Sequence, residues 1–91
     1  MVKIHLGSVL RTASPQLDLD QFHGYAGTLT ELLERLAEAG GPALRERLFE
    51  DGAPRRYLNI YVDGRDLRFL SGPVRLFPDS EVDILPAVAG G

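Results

Sequence analysis

Thr28-Leu29-Thr30-Glu31-Leu32-Leu33-Glu34-Arg35-Leu36-Ala37-Glu38-Ala39-Gly40-Gly41 is the best-specified stretch of this chain. Thr28 and Glu31 have the capping-box spacing, in which each side chain satisfies a backbone donor at a helix start. Leu29, Leu32, Leu33 and Leu36 then recur at i, i+3, i+4 and i+7, an apolar stripe opposite Glu34, Arg35 and Glu38. Gly40-Gly41 ends the helix, because glycine reaches the left-handed C-cap conformation without steric penalty. One apolar stripe needs one apolar partner surface, and the flanking sequence supplies strands.

Downstream, Pro42 suits the first turn of a short second helix in which Leu44 and Leu48 share a face. Arg55-Arg56 leads into Tyr57-Leu58-Asn59-Ile60-Tyr61-Val62, rich in β-branched and aromatic residues. Asp63-Gly64 is a two-residue hairpin signal, and Leu67 and Phe69 mark a short return strand. Ser71-Gly72-Pro73 interrupts the pattern. Pro78-Asp79-Ser80 turns the chain into a final strand, where Val82 and Ile84 alternate with Glu81 and Asp83.

Upstream, Val2, Ile4 and Leu6 alternate with Lys3 and His5, and Val9-Leu10 extends this strand until Ser14-Pro15 turns it. Asp18 to Tyr25, with Leu17, Leu19 and Phe22 as its apolar residues, is read as a second strand returning antiparallel to the first. The resulting order is β-β-α-(short helix)-β-β-β. It is an α+β layout in which the leucine stripe packs on the sheet face carrying Ile4, Ile60 and Ile84.

Composition narrows the function. Ninety-one residues make one domain. A net charge of −3 argues against nucleic acid, and neither a membrane-length apolar run nor a signal peptide is visible. The expected location is therefore the cytoplasm. With no cysteine, there is no disulfide, no thiolate nucleophile and no cysteine-ligated metal. His5 and His23, the only histidines, fall on different predicted strands and are read as surface residues. Glu81 and Asp83 are assigned to the solvent face of the last strand and Asp79 to turn chemistry, in preference to a cation site. Arg65, Arg68 and Arg75 are read first as a solvated basic surface and second as a docking patch. Tyr61 and Phe69 belong to the core or an interface, and Phe77 beside Pro78 is the expected exposed apolar contact.

The chemistry concentrates at the end. After the last strand come Pro86-Ala87-Val88-Ala89-Gly90-Gly91, uncharged up to the terminal carboxylate. Extended, these residues reach roughly 20 Å from the fold, enough to enter another protein's active site. Residues 1–86 are taken as the folded domain and 87–91 as a flexible tail. Gly91 supplies the reacting carboxyl. Gly90 lets the backbone pass a constriction that any Cβ would block, and Pro86, Ala87, Val88 and Ala89 suit an extended path along a groove.

The run from Leu58 to Phe69, Leu-Asn-Ile-Tyr-Val-Asp-Gly-Arg-Asp-Leu-Arg-Phe, followed by the ending from Asp83 to Gly91, resembles the β-grasp, ubiquitin-like sulfur carriers of the MoaD/ThiS group. It looks closest to the CysO-type branch used in cysteine biosynthesis. The resemblance is loose in the N-terminal half and close from Leu58 onward. It implies a mixed sheet curled around the main helix, with first and last strands adjacent and parallel. It implies a carrier, not an enzyme, with no bound cofactor. An E1-like enzyme using ATP adenylates the terminal glycine, a sulfur donor converts it to a thiocarboxylate, and the sulfur passes to a partner. That partner is a PLP-dependent cysteine synthase, with a metalloprotease releasing the product, or the large subunit of molybdopterin synthase.

The residues themselves support an external activator. A free α-carboxyl, with a pKa of about 3.3–3.7, is an anion at neutral pH and a poor electrophile. The chain has no phosphate-binding loop with which to activate it. Phe77, Phe69, Arg68 and Glu81 are the expected partner surface. Two alternatives share Gly90-Gly91 or the fold: a protein modifier conjugated through Gly91, and a non-covalent interaction module. Lys3 is the only lysine, which disfavours branched conjugate chains.

Overall fold

The computed structural model describes residues 1–55, 58–70 and 72–86, with the side chains of Phe69 and Pro86 left aside. Its central feature is a four-stranded mixed sheet of order β1-β8-β5-β6, in which β1 is Lys3–Leu6, β5 Leu58–Val62, β6 Arg65–Asp66 and β8 Glu81–Pro86. β8 is parallel to β1, with Ile4 opposite Val82 and Leu6 opposite Ile84. It is antiparallel to β5, with Ile60 opposite Ile84 and Leu58 opposite Pro86. The last strand therefore lies inside the sheet.

Three helices cover one face: α1 (Ser8–Ala13), α2 (Leu29–Gly40) and α3 (Pro42–Leu48). Thr28 Oγ1 accepts from the Glu31 N–H at 3.2 Å, and the Glu31 carboxylate meets that same hydroxyl at 3.2 Å. The stripe Leu29, Leu32, Leu33 and Leu36 is buried with Leu44 and Leu48 against Ile4, Ile60, Val82 and Ile84. Each fully buried leucine of this kind contributes about 1.5–3 kcal/mol. Gly40 is set by a close approach, since a Cβ there would collide with the Leu44 side chain and lie 3.1 Å from Ser14 Oγ. That buried Ser14 hydroxyl donates to the Gly40 carbonyl at 2.8 Å, satisfying one of the helix-end acceptors. Gly41, at φ 91°, reverses the chain into α3.

Three expectations from sequence are corrected. Val9-Leu10 lies in helix α1, where Leu10 is buried and Val9 faces outward, so the first strand ends at Leu6. Asp18 to Tyr25 does not return antiparallel to β1. It holds a 3₁₀ turn, Leu19–Phe22, capped by Asp18, whose Oδ1 accepts from the Asp20 N–H at 3.0 Å. A local side-chain acceptor of this kind competes with sheet pairing. Leu67 and Phe69 likewise fall in a 3₁₀ turn, Leu67–Phe69, and the return strand is β6 just before it. Two small ribbons complete the fold: β2 (Gly27–Thr28) with β7 (Arg75–Leu76), and β3 (Phe49–Glu50) with β4 (Ala53–Pro54).

The hairpin reads as expected. Asp63 (φ 52°) and Gly64 (φ 82°) both occupy the left-handed region that a tight two-residue turn requires.

Candidate functional site

β8 is the element that delivers the chain to its C-terminal segment. Its inward residues, Val82 and Ile84, are fully buried; β1 pairs with it as far as Ile84, and β5 holds it through Pro86. At its start, the turn before it is locked by Ser80, whose buried Oγ accepts from the Phe77 N–H at 2.8 Å. Near its end, the Gly7 N–H donates to the Ile84 carbonyl at 2.9 Å, so the chain entering α1 runs beside the exit of β8. Ala87, Val88, Ala89, Gly90 and Gly91, to which the tail-threading and reactive roles are assigned, lie outside the described residues. Pro86 is placed as the last residue of β8.

The uncovered face of the sheet is organised in rows. Lys3 pairs with Glu81, His5 with Asp83, and Asp83 in turn with Tyr61, which is followed by Asp66 on β6. The next row holds Leu85 opposite Asn59, beside the exit of β8. Leu85 is an exposed large apolar side chain. This row went unnoticed in the sequence. The period-2 pattern puts Leu85 on the outer face, but only the strand order places it against Asn59.

The other candidates are distributed around this face. Arg68 follows β6 and is largely exposed. Its Nη2 donates to Asp66 Oδ2 at 2.7 Å and to Asn59 Oδ1 at 3.3 Å, and its Nε donates to Asp66 Oδ1 at 3.1 Å. The Arg68 side-chain hydrogen bonds, aided by its backbone N–H, hold the Asp66 carboxyl below its ordinary pKa. Asp66 in turn raises that of the guanidinium. Arg68 is thus fixed in direction and still open to a partner. Glu81 is exposed at the other end of the same face. Phe77, 62% exposed, stands on the turn before β8 and contributes nothing to the core. Phe69 has its backbone in the 3₁₀ turn after β6.

His5 is exposed on β1, while His23 Nε2 sits 3.1 Å from Asp20. Among the described residues, no group of three His, Asp or Glu side chains is placed to hold a metal ion, Asp79, Glu81 and Asp83 included. No described helix is long and apolar enough to cross a membrane.

A mixed sheet with parallel first and last strands, packed on one main helix and with its last strand in the interior, defines a β-grasp, ubiquitin-like fold. The profile of the ThiS family matches residues 9–91. This chain belongs to the ThiS family, the MoaD/ThiS-type sulfur carriers. Solved structures agree. A chain of the Amycolatopsis orientalis BexX/CysO complex superposes with a TM-score of 0.77 at 25% identity, covering 100% of both chains. Small archaeal modifier protein 1 from Methanosarcina acetivorans gives a TM-score of 0.75 at 28% identity, covering 99% of this chain and 95% of the other. The CysO of Mycobacterium tuberculosis, at 23% identity and a TM-score of 0.72, covers 97% of this chain and all of its own and shows the shared fold. No match is found among the curated proteins.

Proposed function

We propose that this protein carries sulfur on its own C-terminus. An E1-like enzyme, in the cytoplasm, joins the Gly91 carboxylate to the AMP portion of ATP and releases pyrophosphate. A sulfide-equivalent nucleophile then attacks the acyl carbon. A C–S bond forms, the C–O bond to phosphate breaks, and AMP leaves with its electron pair. The product is a C-terminal thiocarboxylate, which donates its sulfur to a biosynthetic partner. ATP serves the activating enzyme, and this chain acts as substrate and carrier.

The observation that carries this reading is the position of β8. A strand locked between β1 and β5 delivers the chain at Pro86, and the residues that follow are small and uncharged. Pro86, Ala87, Val88, Ala89 and Gly90 thread into the partner's tunnel. Phe77, Phe69, Arg68 and Glu81, joined by Leu85, form the docking surface of the body.

Likeness to the BexX/CysO complex, together with the run from Leu58 to Phe69, supports a thio-metabolite branch such as cysteine formation. There the acceptor is an activated serine on a PLP-dependent synthase, and a metalloprotease releases the product. The molybdopterin synthase large subunit is the alternative acceptor. Incubation with ATP, the cognate activating enzyme and a sulfur donor tests the proposal: intact mass must show one oxygen replaced by sulfur. An unchanged mass with an enzyme proven active on its own carrier overturns it.

A second reading, conjugation to proteins through Gly91, has one specific support, the 28% identity to small archaeal modifier protein 1 over 99% of this chain. High-molecular-weight conjugates that disappear on deletion of Gly91 would select it. Equal partner binding without Gly90 and Gly91 would instead select a non-covalent module.

A further inference from the structure

β1 is an edge strand. The Lys3 N–H donates to the Ser80 carbonyl and the Gly7 N–H to the Ile84 carbonyl, so Lys3, His5 and Gly7 turn their backbone groups toward β8. Strand alternation turns those of Val2, Ile4 and Leu6 the other way. On that side the Val2 N–H donates to the His23 carbonyl at 3.0 Å. Among the described residues, no hydrogen bond reaches the outward N–H or carbonyl of Ile4 or Leu6. The segment expected from sequence to pair here bonds to itself instead, the His23 N–H donating to the Asp20 carbonyl and the Tyr25 N–H to the Phe22 carbonyl. The opposite edge of the sheet is shorter and partly covered: β6 has two residues, and Arg68 in the turn after it donates to Asn59 on β5.

We propose that a second copy of this chain docks on this edge, β1 antiparallel to β1 about a two-fold axis through His5. An unpaired edge selects an extended strand, and three features make that strand β1 itself. The free stretch is short, bounded by His23 on Val2 at one end and by α1, which starts at Ser8, at the other; a four-residue strand that leaves into a helix fits between them. The edge is also self-complementary. Ile4 opposite the second copy's Leu6 exchanges both N–H···O bonds, and the symmetric pair repeats them, so the outward groups of both residues are satisfied in both copies. A register shifted either way would need the Val2 N–H, which His23 already holds, or Ser8, which belongs to α1. The charges agree as well: on the outer face His5 meets the second copy's His5, mostly uncharged at neutral pH, and Lys3 falls opposite Gly7, so no like charges meet. A few residues a side is well short of the roughly 20–30 of a stable interface, so the dimer is weak and forms as concentration rises. It joins the two sheets into one, and it stands apart from the carrier reading.

The test follows sedimentation and residue-resolved amide exchange of the full chain from about 10 μM to about 1 mM, the span in which weak association appears. In dilute solution the Ile4 and Leu6 amides are expected to exchange fast and those of Lys3 and Gly7, bonded to β8, slowly. As dimer forms, the Ile4 and Leu6 rates should fall in proportion to the monomer left, with Lys3 and Gly7 unchanged. His5→Lys sets two ammonium groups opposite each other across the axis and should raise the dissociation constant about fivefold or more. In the monomer that lysine lies beside Asp83, so the thermal midpoint of dilute protein, which reports the fold, should not drop. His5→Thr, which pairs well across strands, should keep the dimer. A chain that stays monomeric throughout overturns the proposal. So do Ile4 and Leu6 amides already slow in dilute solution, which would mean the edge is covered within one chain, and a dimer that leaves their rates unchanged, which would place it on another face. An unaltered dissociation constant for His5→Lys moves the axis off His5 and overturns the pairing as well.

Discussion

Asp63 and Glu81 hold each other twice: the Asp63 N–H donates to the Glu81 carbonyl at 2.8 Å, and the Glu81 N–H donates to Asp63 Oδ1 at 2.9 Å. The hairpin turn thereby clamps the first residue of the strand that leads to the C-terminal segment. Asp63→Ala removes the side-chain acceptor and places a Cβ-bearing residue without a compensating side-chain contact at φ 52°. It is expected to cost about 1–2 kcal/mol, from the lost hydrogen bond and the left-handed backbone. Asp63→Asn keeps an acceptor and tolerates that conformation, so its urea midpoint should stay near that of the parent.

Leu36 is fully buried on the stripe that joins α2 to the sheet. Leu36→Ala is expected to destabilise by about 2–5 kcal/mol, read as a lower denaturant midpoint. The residues of the C-terminal segment are unaltered, so the variant that remains folded should still be activated.

At Gly40 the added methyl of Gly40→Ala meets Leu44 and the buried Ser14 hydroxyl. Overpacking of this kind costs about 1–3 kcal/mol. Alanine should therefore lower the melting temperature here, although in an exposed helix interior it raises it.

Asp66 titrates below the ordinary carboxylate value because Arg68 hydrogen-bonds its ionised form. A carboxyl with a depressed folded-state pKa contributes stability that is present above the unfolded value and lost as pH falls through the folded one. Following the Asp66 carboxyl by NMR should give a midpoint below that of a model aspartate. Arg68→Ala should raise it and leave stability near neutral pH little changed, since the pair is surface-exposed.

Deleting Gly91 should abolish the sulfur-for-oxygen exchange measured by intact mass while leaving the thermal midpoint within experimental scatter. Loss of both together would mean that the residue serves the fold and not the chemistry.

What sequence reading reached was local. The Thr28–Glu31 cap, the leucine stripe, Gly40-Gly41 and the Asp63-Gly64 turn each depend on residues within a turn or two, and each stands in the structure. Val9-Leu10 was misassigned because two adjacent apolar residues carry no period. Whether they extend a strand or begin a helix is decided by Leu10 packing into the core. Asp18–Tyr25 failed for a related reason: Asp18 as a 3₁₀ cap looks like any aspartate near a turn. The rows on the outer sheet face needed the strand order itself, which brings His5, Asp83 and Tyr61 together from three distant segments.

Because β8 sits between β1 and β5, neither of those strands acquires its central neighbour until the final dozen or so residues have been synthesised. A polypeptide ending before β8 would leave the facing edges of β1 and β5 unpaired, a feature that proteases and chaperones act upon. A chain that resists proteolysis has therefore been made at least as far as the end of β8.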